Sequence, residues 1–129
     1  LRYESGAQMR HLRDFVLGEG ARYRELAPVP TALSPRAASG ALADGLDGWS
    51  FLLRNPAADF ALAYFETKAV PARIAGFAPA AKYSWTWFNP RTGEWLAPAE
   101  LVADAAGALA SPAFPDAEDW AAKILRAAP

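Results

Sequence analysis

The 129-residue chain carries thirteen basic and fourteen acidic residues interspersed along its length, a net charge of −1, and no cysteine. That length fits one domain with a core of its own, and a balanced charge without a basic stripe argues against nucleic acid. No apolar run approaches the roughly 20 residues needed to span a bilayer, and the lack of cysteine removes disulfides, thiol chemistry and thiolate metal sites. The chain opens at Leu1 rather than methionine. We read that as a cut or processed end, so a missing signal peptide says nothing about location.

Residues 5–17, SGAQMRHLRDFVL, read as a helix: Ser5 is the N-cap, and Met9, Leu12 and Val16 recur at helical spacing with Phe15 beside them. Gly18 and Gly20 then supply a stop. The proline-rich stretch 28–35, PVPTALSP, reads as an extended connector. From there the period becomes two. Trp49, Phe51 and Leu53 alternate with Ser50 and Arg54; Phe60, Leu62 and Tyr64 alternate with Ala61 and Ala63; Tyr83, Trp85 and Trp87 alternate with Lys82, Ser84 and Thr86. Each segment is expected to be a strand with one apolar face.

Turn chemistry separates these strands: Asp44-Gly45, Asp47-Gly48, Asn55-Pro56 and Asn89-Pro90-Arg91-Thr92-Gly93. In the last, Pro90 presets the first corner of a type I turn and Gly93 can take the left-handed position after it, which pairs 83–88 with 94–97 as a hairpin. Several short strands at this spacing predict a β-sandwich. The C-terminal PDAEDWAAKILRAA has the cap, charge order and propensity of a helix. It equally reads as a strand with Trp120, Ala122 and Ile124 on one face.

Little in the chain resembles a catalytic or metal centre. His11 is the single histidine, three residues before Asp14 on the helix; with no nucleophile or oxyanion site beside it, it reads as a surface or interdomain residue. One histidine without cysteine is a poor metal site. A glycosidase needs two carboxylates about 5–10 Å apart. Glu66, Glu94, Glu100, Asp104, Asp116 and Asp119 form no local pair with a supporting motif, and most fall in expected turns. Asp44 and Asp47 lack the ligand spacing of a calcium loop. The aromatic residues are the more informative set. The Lys-Ser-Thr face opposite Trp85 and Trp87 makes the tryptophan side the natural core side. Trp95, just past an exposed turn and near Arg91, is the best candidate for a ligand or interdomain contact, with Arg91, Trp87 and Trp49 beside it.

Three segments taken together, MRHLRDF (9–15), WFNPRTGEW (87–95) and DW followed by an apolar stretch (119–125), resemble the family catalogued as the collagen-binding domain of a collagenase. That small domain sits at the C-terminus of bacterial glycoside hydrolases with an apiosidase-like (β/α)8 barrel. The sequence departs from the family pattern at Lys123, where an apolar residue is expected, and lacks its Pro-x-Gly turn near 61–70. The resemblance tips 120–126 toward a strand that closes the sandwich. It implies an all-β fold, a sandwich of short antiparallel strands preceded by one N-terminal helix. Residues 1–27 would be helix and connector to a catalytic barrel, and 28–129 the sandwich.

The function so implied is a non-catalytic accessory domain of a secreted bacterial glycoside hydrolase. It would use no cofactor and lie outside the cytoplasm, with the parent barrel as partner, and the otherwise unpartnered apolar stripe of the helix fits docking. The alternative is a carbohydrate-binding module that holds polysaccharide through its tryptophans. Collagen binding is a label that these residues do not explain. Burial of Trp49, Trp87 and Trp95 would favour docking, and two or more coplanar exposed rings would favour sugar.

Overall fold

The computed structural model describes residues 11, 13–29, 32–34, 49–66, 69–116 and 118–127. The expected turns at Asp44 and Asp47, and the helix residues Ser5, Met9 and Leu12, lie outside them. Two antiparallel sheets face each other, which makes the fold an all-β sandwich. The strands are β1 (Ala27–Pro28), β2 (Leu33–Ser34), β3 (Ser50–Arg54), β4 (Phe60–Phe65), β5 (Arg73–Ile74), β6 (Lys82–Asn89), β7 (Glu94–Trp95), β8 (Ala99–Val102), β9 (Leu109–Ala110) and β10 (Trp120–Arg126). The larger sheet runs β1-β3-β4-β10-β6-β7, with β8 also on β6; the smaller runs β2-β5-β9.

The C-terminal segment is a strand despite its helix propensity, and it is the central one. β10 pairs with β4 on one side and β6 on the other, both antiparallel. A helix there would leave both neighbours with unpaired edges, so tertiary pairing overrides local preference. Trp120, Ala122 and Ile124 point into the space between the sheets, while Ala121 lies in a second cluster on the outer face, with Leu125 packed against it.

The centre of the larger sheet, at β4 and β10, is therefore covered on both faces, which corrects the one-faced reading of β3 and β4. On β4 the side toward the smaller sheet is Ala61, Ala63 and Phe65, while Phe60, Leu62 and Tyr64 point outward. On β3 the inner residues are Ser50 and Leu52, and Phe51 is 46% exposed. The reason is volume. One cross-strand row reads Leu52–Ala63–Ala122–Trp87 across β3, β4, β10 and β6. Interleaved Trp85, Trp87, Trp120, Phe65 and Phe114 rings fill the interior edge to face, and alanines opposite them leave the room. Tyr83, Trp85 and Trp87 are core residues, as expected.

The hairpin after β6 is shorter than anticipated. β7 pairs only at Phe88–Trp95 and Asn89–Glu94, with Leu96 N–H donating to the Trp87 carbonyl. Continued, that register would set Trp85 opposite Pro98, but Trp85 pairs with Ala99. The one-residue slip is a bulge, and Pro98, which cannot donate, sits at the break. The chain then rejoins the same edge of β6 as β8.

Residues 13–16 are helical and continue into a 3₁₀ segment, Leu17–Glu25, kinked at Glu19 and Gly20. Gly20 has φ 63°, so the break expected there occurs. No described helix is long and apolar enough to cross a membrane.

Ala122→Leu should cost about 1–3 kcal/mol through overpacking against the Trp87 row. Urea unfolding measures this; a neutral result would mean the row is not packed as described.

Candidate outer-face site

The site begins with one cross-strand row on the outer face. Phe51, Tyr64, Ala121, Phe88 and Trp95 are neighbours across β3, β4, β10, β6 and β7. Ala121 at its centre leaves a shallow seat. Phe15 of the helix fills it, buried, with its ring 5.2 Å from Phe88 and 5.7 Å from Trp95. Such aromatic pairs contribute about 0.5–1.5 kcal/mol beyond area burial. The apolar side of the helix thus finds its partner within the chain, so the expectation of an unpartnered stripe is not met at Phe15.

Beside Phe15 the row stays open. Phe15, Val16, Phe51, Leu53, Leu62 and Tyr64 line a groove of about 330 Å³ with almost wholly apolar walls. Phe51, one of its lining residues, is a large apolar side chain left 46% exposed. Tyr64, also in its lining, donates its hydroxyl to Asp119 Oδ2 at 2.6 Å. Burial, followed by that carboxylate, raises the Tyr64 pKa well above the ordinary phenol value, so Tyr64 stays a neutral donor at physiological pH.

At the β7 end of the row, Trp95 is 36% exposed and rests on Phe88 and Phe15. Lys123 Nζ lies 4.8 Å from its ring centroid and bonds Glu19 Oε2 at 2.8 Å, both charged side chains being largely covered. Lys123, the one charge in an otherwise apolar run of β10, is thus the cation between Trp95 and the 3₁₀ segment. A second anchor lies at the β3–β4 turn. Asn55 Oδ1 accepts the Asp59 and Phe60 N–H groups, and Asn55 Nδ2 donates to Glu25 and Asp59. Arg22 pairs with Asp59 at 2.9 Å and stacks over Phe60.

The remaining expected site residues separate. Trp87 is 7% exposed and packs in the interior. Arg91 stacks over Trp120 and donates to the Asp119 carbonyl at 3.1 Å and toward Asp116 at 3.5 Å, a structural role at the turn. Trp49 is half-buried at the start of β3, its N–H donating to Glu66 Oε1. Residues that the sequence reading missed are Phe15 with Phe88, Lys123 with Glu19, and Arg22 with Asp59. Only Lys123 carried a signal, as a charge in an apolar strand.

The Asn89–Gly93 turn forms as expected. Gly93 N–H donates to the Asn89 carbonyl at 2.8 Å, Asn89 Oδ1 accepts the Arg91 N–H, and Gly93 has φ 79°. A second constraint is tertiary: a Cβ on Gly93 would lie 2.6 Å from Nδ1 of His11. His11 therefore packs on this turn.

The carboxylates serve turns and anchors. Asp104 Oδ1 accepts the Ala106 and Ala108 N–H groups, and Asp116 Oδ1 accepts from Glu118 N–H and Trp120 Nε1. Hydrogen bonds first, then neighbouring arginines, hold Asp59, Asp104 and Asp116 below the ordinary carboxylate range. That is the wrong direction for a glycosidase general acid, which needs a raised pKa. No group of three or more histidine, cysteine, aspartate or glutamate side chains suited to a metal ion occurs among the described residues.

No family model matches the chain, and no curated protein matches it. Solved structures do. A glycoside hydrolase matches over 92% of this chain with a TM-score of 0.64 at 15% identity, the match spanning 24% of that protein. A family 5 glycoside hydrolase from Bacteroides vulgatus matches over 92% with a TM-score of 0.58 at 14% identity, again over 24% of its length. The chain therefore shares its fold with about a quarter of each of these proteins.

Two outcomes are expected. Gly93→Val should cost about 1–2 kcal/mol or more. In a His11→Ala background part of that cost should disappear; strict additivity in the double-mutant cycle would show that the ring does not seat on the turn. Asp59 has a lowered folded-state pKa, so its contribution is present above the unfolded carboxylate pKa and lost as pH falls through the folded one. Asp59→Asn should flatten the acid limb of stability below about pH 4, modestly because the pair is exposed. An unchanged acid limb would remove Asp59 from it.

Proposed function

We propose that the chain is a non-catalytic accessory domain of a secreted glycoside hydrolase, packing against that enzyme's catalytic barrel. The observation that carries this reading is the fold match: nearly the whole chain corresponds to about a quarter of glycoside hydrolase chains. The order of the MRHLRDF, WFNPRTGEW and DW segments supports the same context. The half-open outer row supplies a docking face, because an apolar groove lined by exposed Phe51 is costly to leave in water. Sugar binding has weaker support. Trp87 is interior, and Trp95 turns its ring to Phe15, Phe88 and Lys123.

The test uses the catalytic domain encoded with this chain, expressed separately. Wild-type chain should bind it, and Phe51→Lys should weaken binding at least about tenfold, as expected of a central apolar anchor. The melt should be unaltered, because Phe51 lies largely outside the core. The chain alone should hydrolyse neither aryl glycosides nor plant polysaccharides. Hydrolysis abolished by one carboxylate substitution would overturn the non-catalytic reading. Polysaccharide binding lost in Trp95→Ala, without binding to the catalytic domain, would replace docking with carbohydrate recognition.

A further inference from the structure

We infer that residues 11–25 form a rigid coupling, an integral outer layer of the domain that fixes how the entering polypeptide is oriented on the sandwich. Four unlike contacts at separate points hold this layer. His11 lies against Gly93, where even a methyl group would come within 2.6 Å of the ring. Phe15 fills the seat above Ala121 between Phe88 and Trp95. Glu19 bonds Lys123, whose ammonium also lies over Trp95, and Gly18 passes close above the same indole. Arg22 pairs with Asp59 and stacks on Phe60, while Glu25 accepts from Asn55.

These anchors reach β4, β6, β7 and β10 and the β3–β4 and β6–β7 turns, so the segment cannot swing on one of them as a hinge. Consecutive domains move relative to each other by default when exposed linkers join them. Here the described residues of 11–25 and the sandwich move as one body. Lys123 is the positioning residue. Its side chain is 18% exposed, and losing it would leave Glu19 half-covered without its cation and Trp95 without the charge above its ring. The inference rests on contacts within this chain, so it can fail or hold whatever the fate of the glycoside hydrolase assignment.

The chain has no cysteine, so a single introduced one can be labelled cleanly. Arg13→Cys places a probe on the exposed side of the helix, and Glu100→Cys places a reference on β8. Fluorescence anisotropy decay should show both probes tumbling with the whole domain. Adding Lys123→Ala and Trp95→Ala should release the Arg13 probe into fast segmental motion and leave the Glu100 probe slow. Lys123→Met, which keeps most of the side-chain volume, should release it less. Fast segmental motion at position 13 in the otherwise native chain would overturn the inference. So would a probe that stays immobilised in the doubly substituted chain while Glu100→Cys reports a folded sheet.

Discussion

Everything in this domain depends on a strand near the chain's end lying at the middle of its sheet. β10 hydrogen-bonds to β4 and β6 along nearly its whole length, and those partners precede it by about sixty and by about forty residues. Until it is in place, the larger sheet is two halves with exposed edges and an unfilled interior. Closure over such separations is entropically costly and slow. It also ties the two hydrophobic clusters together, since Ala122 and Ile124 belong to one and Ala121 to the other. A defect in β10 therefore reaches the interior and the helix layer at once.

Alanine at the centre of a sheet is poor by propensity but suits this one. The interior carries Trp85, Trp87 and Trp120 with Phe65 and Phe114, and large rings stack edge to face only if the opposing strands are thin. Ala61, Ala63 and Ala122 provide that thinness on one side, and Ala121 provides it on the other, where Phe15 sits. The same economy that gives the C-terminal sequence its helical look lets it be buried on both faces.

The strands beneath clear alternation were legible in the sequence, as were the Asn89–Gly93 turn and the inward tryptophans of β6, because periodicity and turn residues are local. The side that β3 and β4 turn inward was not. Phe60, Leu62 and Tyr64 are more apolar than Ala61 and Ala63, and the sequence alone does not say that a helix waits outside while tryptophans wait inside. The two-residue strands β1, β2, β5 and β9 were invisible, being too short to show a period. Trp95 was set apart from the other tryptophans for its place after a turn, and it is 36% exposed where Trp85, Trp87 and Trp120 are buried. Its partners Phe15 and Lys123 come from 80 residues before and 28 after. No local pattern could have joined them, although a lysine within an apolar strand marks a place where something charged must approach.

The same geometry accounts for how the described carboxylates are used. A catalytic carboxylate is kept at its task by an environment that holds its pKa near the working pH. Asp59, Asp104 and Asp116 are instead satisfied by amide donors and arginines, which stabilise the ionised form. Tyr64, whose pKa is raised by burial and by the Asp119 carboxylate, donates a hydrogen bond to that group from the lining of an apolar groove. Polar groups here complete turns and pin layers, and the surface left unfinished is the apolar half of the outer row. Apolar area of that kind is best relieved by a shape-complementary protein surface, and a sandwich whose N-terminal layer is already locked to the sheet can present it at a fixed angle.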